Sequence, residues 1–200
     1  VTLNRLRIVS LAVCLAMTLL AWMGFWFQDR TLMEVVLAGA PPVEQTWLGA
    51  LLGFLFSASG LVLTHRARWL QSYRNLVFRL LNEIDPHPLD LVAVSLCAGW
   101  GEELFFRGLL QPYLGIVATS VLFWLAHGTV SFSNWRVNLY GLCVFGAGVL
   151  LGLLYEWKGL LSAMVAHAMV DATTLMAFYW MRPSPVPAPT VSAQSKEQNL

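Results

Sequence analysis

Charge is what this chain of 200 residues has least of. Only 12% of it is Asp, Glu, Lys or Arg, about half the ~25% share of an ordinary soluble domain. Hydrophobic residues make up 58%, and mean hydropathy is +0.64. A soluble domain of this length has too little interior to hide that much apolar side chain, so composition points to an integral membrane protein. A net charge of +1 gives no overall field to draw in nucleic acid or an acidic partner, and no nucleic-acid partner is expected. Cysteine is scarce as well. Cys14, Cys97 and Cys143 are odd in number, sit in apolar runs and show no CxxC spacing. That excludes a disulfide framework and a CxxC motif, and the three read as packed free thiols. There is no HExxH, no internal repeat, and no Ser or Cys placed among the polar motifs as an obvious nucleophile.

Long apolar runs, by contrast, are abundant. Six approach the ~20 residues a membrane helix needs: Ile8–Phe27, Trp47–Thr64, Leu89–Leu110, Leu114–Val130, Val137–Tyr155 and Gly159–Trp180. The expected fold is therefore all-α, a polytopic transmembrane bundle of about six spans, forming one domain over residues 1–182. Residues 183–200 are Pro-rich and polar, and are expected to form a disordered tail. The first run is too long for a signal-peptide core, and its small-residue site Ala38-Gly39-Ala40 lies too far downstream, so it reads as an uncleaved anchor. Between the second and third runs, Trp69, Tyr73, Leu76, Val77, Leu80 and Leu81 recur at helical spacing opposite Arg68, Gln71, Asn75 and Arg79. This is a basic amphipathic helix, lying on the membrane surface or serving as a linker. Arg5, Arg7, Arg66, Arg68, Arg74, Arg79, Arg136 and Arg182 fall on one set of loops, which the positive-inside rule places in the cytoplasm with both termini. The pairs Gly49/Gly53 and Gly148/Gly152 mark faces where helices can approach closely.

Against this background, "GWGEELFFRGLLQPYLG" stands out, because it sets Glu102, Glu103 and Arg107 in an apolar run. Each charge at a helix centre costs roughly 2.5–3.5 kcal/mol on insertion scales. Glu103 and Arg107 are four apart, share a helix face and can neutralise each other. Glu102 is turned about 100° away and needs a partner or a purpose. Partners lie on other runs: His127 closes "FWLAH", and His167 and Asp171 stand at i, i+4 in "HAMVD". Polar groups at membrane depth on three spans point to a shared interior site. The competing reading is a set of buried hydrogen bonds joining helices. A carboxylate withdrawn from bulk water is a competent general base near neutral pH. One imidazole can orient a water, and a second can donate to the oxygen of a tetrahedral intermediate. A water activated by Glu102 and attacking an amide is the natural chemistry for this set. The alternative use of the same His and carboxylate groups is to ligate Zn²⁺.

The order Glu102-Glu103-x-x-x-Arg107, Phe123-x-x-x-His127, His167-x-x-x-Asp171 resembles the CPBP family. These are the CAAX-protease and bacteriocin-processing membrane proteins, also called Abi, which include type II CAAX prenyl endopeptidases. The resemblance spans roughly Leu89 to Trp180. It implies a helical bundle with an intramembrane cavity open toward the cytoplasm, and glutamate-dependent peptide hydrolysis with no obligatory cofactor. It implies that Glu102 activates the water and His127 helps bind it. His167 and Asp171 would form the oxyanion-side pair, with Glu103 and Arg107 as a structural ion pair beside the site. The implied partners are the lipid bilayer and a membrane-associated, in some members lipidated, peptide or protein substrate. An ionised Asp171 cannot itself donate a hydrogen bond, so it is either protonated or orients His167. Two other functions would use the same residues: a transporter or proton pathway, and a non-catalytic immunity or assembly factor.

Overall fold

The computed structural model of the chain describes residues 2–131, 133 and 135–183. Among these residues every regular element is helical. In order they are α1 (Leu3–Trp26), α2 (Leu32–Leu37), α3 (Pro42–Arg66), a 3₁₀ turn (Arg68–Leu70), α4 (Gln71–Ile84) and α5 (Pro88–Glu103). A π-helical segment (Leu104–Leu110), α6 (Gln111–Ala126), α7 (Trp135–Lys158) and α8 (Leu160–Met181) complete the chain. Of the expected Pro-rich tail, only Pro183 is among the described residues; its carbonyl accepts from Asn82 Nδ2 at 3.1 Å.

Local chemistry sets several of the helix starts. The Thr31 hydroxyl accepts from the Glu34 N–H while the Glu34 carboxylate accepts from the Thr31 N–H at 2.8 Å, a capping box that nucleates α2. Those Thr31 donors hold the Glu34 carboxyl below its ordinary range. The signature Thr31-x-x-Glu34 lies between the first two apolar runs. Pro42 and Pro88 occupy first-turn positions, where a missing N–H costs nothing. A single residue, Gly159 at φ +120°, separates α7 from α8. A side chain there would meet the Ala38 carbonyl and Gln45.

Among the described residues five helices are long and apolar enough to cross a bilayer: Leu3–Trp26, Pro42–Arg66, Pro88–Ala126, Val137–Lys158 and Leu160–Met181. The expectation from sequence was six runs. The difference lies in the 39-residue stretch Pro88–Ala126, which covers the third and fourth of them. Straight, it would rise roughly 58 Å, about twice the ~30 Å hydrocarbon core. It is not straight, because Gly115 breaks it at φ 74°, ψ 171°. Across that break Phe106 meets Phe123, Arg107 meets Phe123, and Glu102 meets His127. These pairs are arranged symmetrically about residues 114–115, so the chain doubles back on itself. Gly115 is thus the tip of a helical hairpin, in a backbone region that essentially only glycine occupies. The arm after the tip, 116–126, rises only about 16 Å before the helix stops. The arm before it also departs from expectation, since Leu104–Leu110 is π-helical rather than α-helical. Its signature is the Gln111 N–H donating to the Phe106 carbonyl, five residues back.

Helix α8 is the hub, packing on α3, α5 and α7, while α1 lies along α5 and α6 along α7. Small residues allow the close approaches. A Cβ at Gly53 would meet the Ala166 backbone of α8, and one at Gly99 would meet Met164 and Ala168. Gly148 and Gly152 are covered by Ser120, Phe123, Gln111 and Ile116. The second small-residue face is therefore consumed inside the chain rather than left for a partner. Ala21, Phe25, Val35, Leu104, Leu160 and Met164 form one buried cluster beneath α2, and Leu81, Leu91 and Phe178 form another beneath α4. Helix α4 turns Tyr73, Val77, Phe78 and Leu81 inward and leaves Asn75 and Arg79 exposed, as is Arg68 in the turn before it; Leu76, expected on the apolar face, is exposed as well. Tyr73 stacks on Tyr140 of α7 with ring centroids 4.1 Å apart. Burial beside Tyr140 pushes the Tyr73 phenol well above its ordinary pKa.

Ion pairs mark the two ends of the bundle. Arg7 binds Asp90 at 2.9 Å and Arg182 binds Asp85 at 2.7 Å, which brings both ends of the described chain to the α4–α5 turn. Lys158 and Glu44 pair at 2.6 Å at the opposite end.

Candidate active site

The hairpin at Gly115 and helix α8 build the site. Helix α5 ends at Glu102-Glu103, α6 ends just before His127, and α8 carries His167 and Asp171 near its middle. The sequence separates these residues widely; the fold brings all of them, with Arg107, into one cluster.

Glu103 is its buried anchor. Glu103 and Arg107 are both fully buried, with Glu103 Oε2 3.1 Å from Arg107 Nε. Burying this pair is tolerable only because further polar atoms engage it. Arg107 Nη2 donates to the Gly148 carbonyl at 2.9 Å, and the guanidinium lies 4.4 Å from the Phe123 ring centroid. Glu103 Oε1 lies 2.7 Å from His167 Nδ1. The i, i+4 spacing had paired Glu103 with Arg107 alone; in the structure it also holds His167. Asp171 Oδ2 lies 3.6 Å from His167 Nε2, beyond hydrogen-bond reach, and Asp171 is the more exposed partner.

Glu102 points elsewhere. Its Oε2 lies 3.8 Å from His127 Nε2, with side-chain exposures of 19% and 32%. That is too far for a direct hydrogen bond, and Glu102 Oε2 has no hydrogen-bond partner among the described residues. The other imidazole nitrogen is occupied: His127 Nδ1 is 2.8 Å from the Phe123 carbonyl. A carbonyl only accepts, so Nδ1 carries the proton and, in the neutral ring, Nε2 presents a lone pair toward Glu102. Phe123 is thus the residue whose role the sequence hid. Its carbonyl sets the His127 tautomer, and its ring packs against Arg107, His127 and, edge-on, His167. The only advance signal was its place at the head of Phe123-x-x-x-His127.

Among the described residues no three His, Cys, Asp or Glu side chains gather as metal ligands. Glu103, which would be needed to complete such a set, is already committed to Arg107 and His167. The arrangement does not fit a zinc site. Cys14, Cys97 and Cys143 are free thiols.

Fold and site together define a class: a polytopic bundle of apolar helices with a buried Glu/His/Arg network at its centre. Comparison with known proteins narrows that class over part of the chain. Residues 85–173 match the family model described as "Type II CAAX prenyl endopeptidase Rce1-like", a stretch that contains Glu102, Glu103, Arg107, His127, His167 and Asp171. The protein YpbD of Bacillus subtilis (strain 168), itself described as uncharacterized, is 36% identical over 88 residues. That alignment covers 44% of this chain and 43% of YpbD, so the chain spans less than half the length of this curated relative. No solved structure matches the chain.

Proposed function

We propose that the chain is an intramembrane endopeptidase that hydrolyses a peptide bond of a membrane-associated substrate with a water activated by Glu102. The observation that carries this reading is the pairing of Glu102 with His127 across the hairpin. Two acceptors, a buried, partner-less carboxylate oxygen and an imidazole lone pair, lie 3.8 Å apart between side chains that are 19% and 32% exposed. A water beside them would donate one proton to each, leaving its oxygen lone pair for a carbonyl carbon. Glu102 takes the proton as attack begins, and His127 holds the nucleophile in line. On the far side of the carbonyl, a doubly protonated His167 would donate Nδ1–H to Glu103 and keep Nε2–H for the developing oxyanion. Asp171, 3.6 Å from that nitrogen, then orients and balances the imidazolium rather than donating itself. Glu103 and Arg107 fix the geometry. The proton held by Glu102 passes to the leaving amine as the tetrahedral intermediate collapses.

In this reading the hairpin counts as two passes, making six in all. The end bearing Arg7, Arg68, Arg79 and Arg182 is cytoplasmic, and the intramembrane cavity that the family resemblance implies would open toward it. The family match supports a lipidated substrate, a prenylated C-terminal segment being the first to test. Purified full chain, incubated with a farnesylated peptide carrying three residues after the modified cysteine, should release that tripeptide, as read by mass spectrometry. Glu102→Gln and His127→Ala should keep the helical circular-dichroism signature and lose cleavage by at least about 100-fold, the lower range for a positioned acid–base group. Undiminished cleavage by Glu102→Gln would end the proposal.

A further inference from the structure

The end of the bundle opposite Arg7 and Arg182 holds a cavity of about 370 Å³, where α6 begins and α7 ends. Gln111, Glu156, Tyr155, Arg30 and Lys158 line it. Gln111 is only 3% exposed. Its Nε2 donates to the Gly152 carbonyl at 3.0 Å and lies 3.2 Å from Glu156 Oε1. Both neighbours only accept, which fixes the orientation of the amide. Gln111 Oε1 is then left buried with no hydrogen-bond partner among the described residues. That oxygen is closed off from solvent and packs against Gly152 of α7, so Gln111 forms the floor of the cavity and leaves the exposed charges at its rim to meet a ligand.

The chemistry of the lining is two-signed. The exposed Glu156 carboxylate is an acceptor and would suit an ammonium with several N–H groups. Arg30 and Lys158 are cationic and would suit an anion; Lys158 already contacts Glu44 at 2.6 Å and lies over the Trp157 ring. The depth of the cavity is marked by exposed aromatic residues at the same end: Trp26, Phe27, Trp47, Tyr113 and Trp157. Tyr and Trp collect at the level of lipid headgroups, so the cavity faces the headgroup layer.

We infer that this cavity binds the phosphoethanolamine headgroup of a bilayer lipid, with the ammonium toward Glu156 and the phosphate toward Arg30 and Lys158. A choline headgroup has no N–H to donate, and a glycerol headgroup has no cation for Glu156. The site is remote from Glu102 and stands independently of the proposed activity.

Native mass spectrometry of the delipidated full chain in detergent tests this, using phosphatidylethanolamine, phosphatidylcholine and phosphatidylglycerol of identical acyl chains. The ethanolamine lipid should be retained about five-fold or more over the other two, the factor expected from one exposed charge-assisted contact. Glu156→Gln and Arg30→Gln, both at exposed positions and so compatible with folding, should each reduce that preference. Equal retention of the three lipids, or an unchanged preference in Glu156→Gln, would overturn the inference. Water-soluble phosphoethanolamine should fail to displace the lipid; full displacement would overturn the assignment to a bilayer lipid.

Discussion

Glu103 shows how much one buried side chain can organise. It touches Arg107 and His167 at once, and all three are nearly or fully buried. Glu103→Gln would leave the Arg107 guanidinium in a dry interior without its counter-charge. Removing one member of a buried pair costs about 3–5 kcal/mol. The expected result is a marked drop in thermal midpoint in detergent, measured by tryptophan fluorescence, whereas Glu102→Gln should shift it little. Equal shifts for the two variants would show that the two carboxylates share one structural role. Some of this was legible in sequence, because helical spacing puts Glu103 with Arg107 and His167 with Asp171 on common faces. The Glu103–His167 contact was not, since 64 residues separate the two and no local period encodes a pairing between helices. The Gly148 carbonyl that receives Arg107 was invisible for a different reason: a backbone acceptor leaves no mark in composition. The same holds for the Phe123 carbonyl that fixes His127.

At the scale of elements, the apolar runs announced the long helices, and the amphipathic period announced α4. The gap between the third and fourth runs, after Leu110 and before Leu114, anticipated the fold-back; what the pattern could not give was that one residue makes it, with helix on both sides. The turn depends on a single backbone conformation at Gly115. Alanine there meets no neighbouring atom, so its penalty is purely conformational, about 1–3 kcal/mol for a non-glycine residue in this region. Gly60 offers the matching control, since it lies inside α3 with open space around its Cβ position. Gly60→Ala should be neutral or stabilising by roughly 0.5–1 kcal/mol. Gly115→Ala should lower the thermal midpoint and, by splaying His127 from Glu102, lower cleavage as well. A silent Gly115→Ala would mean that the tip is not what aligns the two arms. The π-helical segment beside it also escaped the sequence, because its residues are as apolar as those of any α-helical span. Its wider turn comes where Phe106 and Arg107 must both reach Phe123.

For the molecule as a whole, the ion pairs and the arginines give a polarity that can be tested directly. Arg7 and Arg182 converge on Asp90 and Asp85, at the end of the bundle that also carries the exposed Arg68 and Arg79. If that end is cytoplasmic, opposite ends of the bundle should differ in accessibility from outside a cell. In a chain with its three native cysteines replaced by alanine, Met33→Cys on α2 should react with a membrane-impermeant maleimide on intact cells. Glu83→Cys on α4 should react only after permeabilisation, and the reverse pattern would invert the proposed topology. The short second arm of the hairpin has a consequence for the lipids themselves. Ending after about 16 Å, it offers acyl chains on its flank far less apolar height than the helices around it. Hydrophobic mismatch of that size makes neighbouring lipids tilt or shorten to follow the protein. The leaflet should therefore dimple beside His127, carrying headgroups and any tethered peptide down toward the level of Glu102, so that the bilayer deforms to meet the site.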